Sequence, residues 1–286
     1  MPKRIRFPAD KEKLILGLGG VALLAILIGS FLHGPARKEP PLPRTAPKKV
    51  AAPMPSFPKG RGKIAIVLDD WGYNLRQVPA LAALRRPVTV AILPNLAYSS
   101  RVANAAAASG HQVILHMPME AQSPSAPRER GTILTAMSDP EILKQLDDSL
   151  RSVPFAKGFS NHQGSKATAD RHVMEVVLKE ARKRNLYFLD SLVTDRSVGQ
   201  ELSRELQVRY ARRQVFLDNS SSRGSIRKSL MELARRAAKE GEALGIGHDR
   251  PNTLEVLQEA LPELEAAGYT IVAASELAQV PSKVVS

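Results

Sequence analysis

The chain has 286 residues, 43% hydrophobic and 24% charged, with no cysteine and a formal net charge of +13. The lack of cysteine excludes disulfides, thiol nucleophiles and thiolate metal sites, so any metal must be held by His, Asp and Glu. The charge is uneven: residues 1–63 carry 13 Lys/Arg against 3 Asp/Glu, and the remainder carries 28 against 25. The basicity therefore belongs to the leading segment. The rest lacks the basic face with stacking aromatics that nucleic-acid binding requires, so no nucleic-acid partner is expected.

Residues 1–13 form a basic tail. Leu14 to Leu32 is an uncharged run of 19 residues, which as a helix spans roughly 28 Å, close to the ~30 Å hydrocarbon core of a bilayer. Signal-peptide cores are shorter, about 7–15 residues, so a transmembrane anchor is expected over 14–33, although Gly34-Pro35-Ala36 leaves cleavage open. Lys3, Arg4, Arg6, Lys11 and Lys13 precede the run, and Arg37, Lys38, Arg44, Lys48 and Lys49 follow it. The positive-inside count is thus a tie, but a large domain behind one N-terminal anchor favours translocation. The expectation is a single-pass inner-membrane protein with a periplasmic domain. Residues 34–62 hold 8 of the chain's 21 prolines and read as a semi-extended linker, reaching about 90 Å as polyproline II.

From Lys63 to about residue 280 strand-like and helix-like segments alternate. Strands are expected at 64–68, 88–93, 112–115, 186–190, 214–217, 243–247 and 270–273, with a weaker one near 155–160. Helices are expected at 74–85, 98–109, 139–152, 169–184, 197–206, 222–240 and 253–267. Asp139-Pro140-Glu141 suits a helix start, and Gly241 and Gly268 suit helix ends. This alternation implies a parallel α/β sheet, and about seven strands favour a deformed (β/α) barrel.

In such folds the working residues sit at the C-terminal ends of strands. The apolar strand Ile64–Leu68 ends in Asp69 and Asp70, two adjacent like charges that resist desolvation. Asp-Asp-x-Gly is also turn chemistry. Other tips bring His116 and Glu120, then Asn161, His162 and Ser165, then Asp190 and Ser191, then Asp218, and finally His248. His33, His111 and His172 fall elsewhere. Three histidines with carboxylates at separate tips point to one shared site. One carboxylate and two neutral imidazoles suit a divalent cation such as zinc, with cobalt or nickel as alternatives. His116-x-x-x-Glu120 has helical metal-pair spacing, but Pro118 inside it argues for a loop.

The motifs LDDWG, HMPME, NHQGS, the Asp190-Ser191 tip and GIGHDRP resemble those of the divergent polysaccharide deacetylases, relatives of the NodB-homology carbohydrate esterases. The resemblance covers about residues 60–280. It implies a deformed barrel and metal-dependent removal of N- or O-acetyl groups from a glycan, here an envelope polysaccharide. It implies Asp69 as base and Asp70 and His116 as ligands. The second histidine of the related esterases' His-x-x-x-His motif is replaced by Glu120, and their arginine-proline-tyrosine motif by Asn161–Ser165. His162 is therefore inferred as the third ligand, and His248 as acid. Asp190 joins the catalytic set, while Glu120, Asn161, Ser165 and Ser191 are supporting groups or alternative ligands. Two other readings stay open. One is a protein that keeps the fold and binds envelope glycan or partner proteins without turnover. The other is a hydrolase of a different bond, although few cations at the tips disfavour phosphate.

Overall fold

A computed structural model describes residues 56–282. The tail, the anchor and most of the linker expected from the sequence lie outside the described residues. Among the described residues no helix is long and apolar enough to cross a membrane.

Strands and helices alternate in the order β1 (Gly62–Trp71), α1 (Val78–Ala82), β2 (Thr89–Ile92), α2 (Ser99–Ala108), β3 (Gln112–Met119), α3 (Asp139–Ser152), β4 (Gly158–Gln163), α4 (Arg171–Lys183), β5 (Tyr187–Asp190), α5 (Gly199–Glu205), β6 (Tyr210–Arg212), β7 (Val215–Phe216), α6 (Arg223–Glu240), β8 (Glu242–His248), α7 (Pro251–Ala266) and β9 (Tyr269–Val272). The strands pair in the order β6-β5-β4-β3-β2-β1-β8-β7, with β9 also on β1. All the strand pairs are parallel. The architecture is a parallel-strand α/β half-barrel. Its two edges, β6 and β7, are consecutive pieces of one chain: Arg213 N donates to Asp190 O on β5, and Gln214 N to Leu244 O on β8.

Two apolar layers follow from the period-two alternation of strands. Ile64, Ile66, Leu68, Leu115, Phe159 and Phe188 pack with the buried faces of the helices. Their alternates Ala65, Val67, Ile114, Leu189, Leu244 and Ile246 form a second cluster on the opposite, inner face of the sheet. The helices have local reasons to start where they do. Ser138 and Glu141 make a capping box at α3, Asp170 caps α4, Ser222 caps α6, and α6 stops at Gly241 with φ of 87°.

Several boundaries differ from the sequence reading. Helix α1 is far shorter than 74–85, because Asn74 Oδ1 accepts from Arg76 N and makes a turn there instead. Strand β6 has no apolar run to mark it in the sequence, because Arg212 within it and Arg209 and Arg213 beside it break the pattern. Strands β3 and β4 run on through Pro118 and His162, so His116 and His162 lie within strands and not in loops beyond them. The linker boundary also moves, because Phe57 is buried beneath the Arg227 guanidinium and Gly60 N donates to Ala267 O.

The central position of β1 makes it the least replaceable strand. Ile66→Ala, at a fully buried site between β2 and β8, is expected to cost about 2–5 kcal/mol in urea unfolding. A loss below about 1 kcal/mol would contradict this packing.

Candidate metal centre

The site grows from an irregularity at the end of β1. Leu68 pairs with Val90 and Trp71 with Ile92, so Asp69 and Asp70 together oppose one residue of β2. This is a β-bulge, and Asp70 takes a left-handed φ of 66°. Without it the pleat would send Asp70 to the outer, helix-facing side with Leu68. With it, both carboxylates reach the inner face, where strand parity also delivers His116, Ser160, His162 and His248. A non-glycine residue with φ in this region is strained, and such strain collects at functional sites.

Three atoms converge. His162 Nδ1 stands 3.1 Å from Asp70 Oδ1 and 3.2 Å from His116 Nε2, and His116 Nε2 stands 3.4 Å from Asp70 Oδ1. Ligands about 2.0–2.1 Å from a zinc-like ion at tetrahedral corners lie about 3.3–3.4 Å apart, so the three atoms already have ligand spacing. They form the one group of potential cation ligands among the described residues. The donor set, two imidazoles and a carboxylate, fits a divalent transition metal and leaves coordination positions open. Ser160 Oγ lies 2.7 Å from His116 Nδ1 and fixes the ring so that Nε2 faces the site.

Electrostatics fit the same reading. Burial alone would raise the Asp70 carboxyl, but hydrogen bonds and charge from His116 and His162 hold it well below the usual range. Asp69 is 3% exposed, and burial pushes its carboxyl up, with Asp70 adding to the effect against the imidazoles. Its Oδ2 lies 3.6 Å from His116 Nε2, and its Oδ1 is buried without a hydrogen-bond partner. His248 stands on the other flank, with Nε2 3.9 Å from Asp70 Oδ2. Burial would lower its pKa, but Asp218, with Oδ1 2.7 Å from His248 Nδ1, raises it. Asp218 is itself fixed by His248 N and the Thr253 hydroxyl. The sequence shows Asp218 only as a strand-tip residue, since its contact with His248, 30 residues away, leaves no local signal.

Other expected site residues go elsewhere. Asp190 is fully buried on the outer face: Oδ1 accepts from Leu192 N, and Oδ2 from Ser197 and Tyr210. It is a structural carboxylate and does not join the group. Asn161, one residue out of phase with His162, ties β4 to the β5 tip by accepting from Ser191 N on Oδ1 and from the Ser191 hydroxyl on its carbonyl. Ser165 accepts from Gln122 N in a loop. Glu120 is not an alternative ligand, because its carboxylate accepts from Lys166 and from both Thr135 N and Oγ1. The remaining described histidines are engaged elsewhere, His111 with Leu81 O and His172 with Asp139.

The profile of the family described as divergent polysaccharide deacetylase matches residues 66–278. The chain belongs to this family. The uncharacterized protein YibQ of Escherichia coli (strain K12) is 34% identical over 226 residues, covering 79% of this chain and 70% of that protein. The crystal structure of uncharacterized protein ATU2773 from Agrobacterium tumefaciens C58 has a TM-score of 0.71 at 21% identity, over 79% of this chain and 92% of that one. The Bc1960 peptidoglycan N-acetylglucosamine deacetylase has a TM-score of 0.51 at 16% identity, over 79% and 92%. At these identities the two structures show a shared fold.

Two measurements examine the cluster and its surroundings. Zinc or cobalt titrated into the protein should bind once per chain, and His116→Ala or Asp70→Asn should abolish that binding in calorimetry, whereas Asp69→Asn retains it. Saturable binding unaffected by His116→Ala would place the cation elsewhere. Separately, burial opposes but Lys166 and Thr135 overcome it to depress the Glu120 carboxyl to about 2, below its ordinary 4.5. The stability this gives is present above pH 4.5 and is lost as pH falls from 4.5 towards 2. Glu120→Gln should therefore flatten that part of the acid-unfolding curve, and an unchanged curve would contradict the clamp.

Proposed function

We propose that the protein is a cation-dependent hydrolase that removes acetyl groups from an envelope polysaccharide. The observation that carries this reading is the ligand spacing of Asp70, His116 and His162, with a buried carboxylate that has one unpartnered oxygen on one side and a carboxylate-supported imidazole on the other. A divalent cation held there supplies Lewis-acid chemistry, lowering the pKa of water and polarising a carbonyl.

The chain's own groups do the proton work. Asp69, with its carboxyl raised by burial, takes the proton from the attacking water as general base. His248, whose pKa Asp218 raises against the effect of burial, gives a proton to the departing amine or alkoxide. The Asp218 carboxylate orients the imidazole through Nδ1, so Nε2 faces the reacting side. Asp70 stays ionised, which suits a ligand and not a base. The uncharged Leu14–Leu32 run and the linker behind it support a membrane-tethered domain outside the cytoplasm, reaching into the envelope.

The test is acetate release from N-acetylglucosamine oligomers and from acetylated xylan by the zinc- or cobalt-loaded protein. Asp69→Asn and His248→Ala should each lower kcat by about 10²–10⁴-fold, with the cation still bound. Glycan binding without acetate release, on either substrate, would overturn hydrolysis in favour of a glycan-binding protein.

A further inference from the structure

The loop between β3 and α3, residues 120–138, encloses a cavity of about 260 Å³ against the tip of β4, and His162 of the candidate centre forms part of its wall. This is just below the ~300 Å³ at which pockets for whole drug-sized ligands begin, so it holds one ring-sized unit of a larger molecule. The walls are built and tied. Gln163, in a left-handed conformation with φ of 54°, donates its amide to Pro127 O at 2.9 Å. The Tyr73 hydroxyl donates to Glu129 Oε1 at 2.5 Å, joining the β1 tip to the loop. Tyr73 lies three residues past Asp70 and is 49% exposed, which leaves its ring at the border between centre and loop.

The cavity's uncommitted polar groups are mixed in kind. Gln163 keeps its Oε1 and Glu129 its Oε2 as acceptors, while Gln122 keeps its Nε2 as a donor. Arg128 meets no hydrogen-bonding or charged partner among the described residues. The charges balance: Glu120 is paired with Lys166, and Glu129 offsets Arg128. An anion would want donors alone, and an apolar ligand would leave these groups desolvated and unpaired. Hydroxyls, which both donate and accept, fit such a lining.

We propose that this cavity is a sugar subsite: it holds the uncharged pyranose next to the one whose acetyl group reaches Asp70, His116 and His162. The proposal rests on the glycan reading above and adds which end of the centre the chain of sugars occupies. The loop 120–138 then sets substrate length preference, with Arg128, Gln163 and Gln122 as its hydrogen-bonding groups.

The experiment measures binding of N-acetylglucosamine oligomers of one to four units to the full chain carrying Asp69→Asn, loaded with zinc, by calorimetry. Affinity should rise by about tenfold or more when a second or third unit is added, the step one good subsite supplies. Arg128→Ala, a change at an exposed side chain, and Gln163→Ala should each bring that ratio close to one. A ratio near one in the parent, a ratio retained in both variants, or no binding by any oligomer would overturn the subsite. Acetate release by the chain with Asp69 intact separates the two claims. Length-dependent binding without release removes hydrolysis and keeps the subsite, and release without length dependence does the reverse.

Discussion

The structure turns on two neighbouring carboxylates at the end of a strand buried on both faces. In a regular strand Asp69 and Asp70 would point to opposite sides, one of them into the apolar layer beneath the helices. The bulge that opposes both to a single residue of β2 avoids that, at the expense of a left-handed Asp70. Two like charges on one face then need compensation, and the facing strands provide it. His116 from β3 and His162 from β4 close on Asp70, and His248 from β8 approaches from the other side. A cation at the common point would offset the charge further and satisfy the three converging atoms together.

The division of labour between the two aspartates follows from their surroundings. Asp70 has imidazole partners that keep it ionised, whereas Asp69 is buried with one oxygen unpartnered, which favours its taking up a proton. The same contrast separates His248 from the other two imidazoles, since only His248 has a carboxylate, Asp218, behind it. Around this core sits a layer that touches no reacting atom but holds its neighbours: Ser160 on His116, Thr253 on Asp218, and Asn161 on Ser191.

Much of this was legible in the sequence. The strand–helix alternation, the α3 span and the convergence of His116, His162 and His248 on the Asp69–Asp70 pair follow from apolar runs that end in polar residues. Strand parity could have sharpened the reading: Phe159 and Phe188 mark the outer face, so Asn161 and Asp190, both in phase with them, belong outside the site. The bulge was not legible, because a pleated strand gives no warning that one residue will be inserted, and the glycine that follows suggests only a turn. Nor was the fate of Glu120, whose partners Lys166 and Thr135 are distant in the chain and meet it only after β3 and β4 pair. Strand β6 escaped because Arg212 within it and Arg209 and Arg213 beside it mask a short edge segment whose pairing depends on β5.

The central claim is that Asp70, His116 and His162 share one cation. It is tested most directly by a crystal structure of the cobalt-loaded protein with anomalous scattering recorded at the cobalt edge. A single strong peak is expected about 2.0–2.2 Å from Asp70 Oδ1, His116 Nε2 and His162 Nδ1, with Asp69 and His248 flanking it unligated. A peak held by Glu120 or Asp190, or none at the tip of β1, would contradict it.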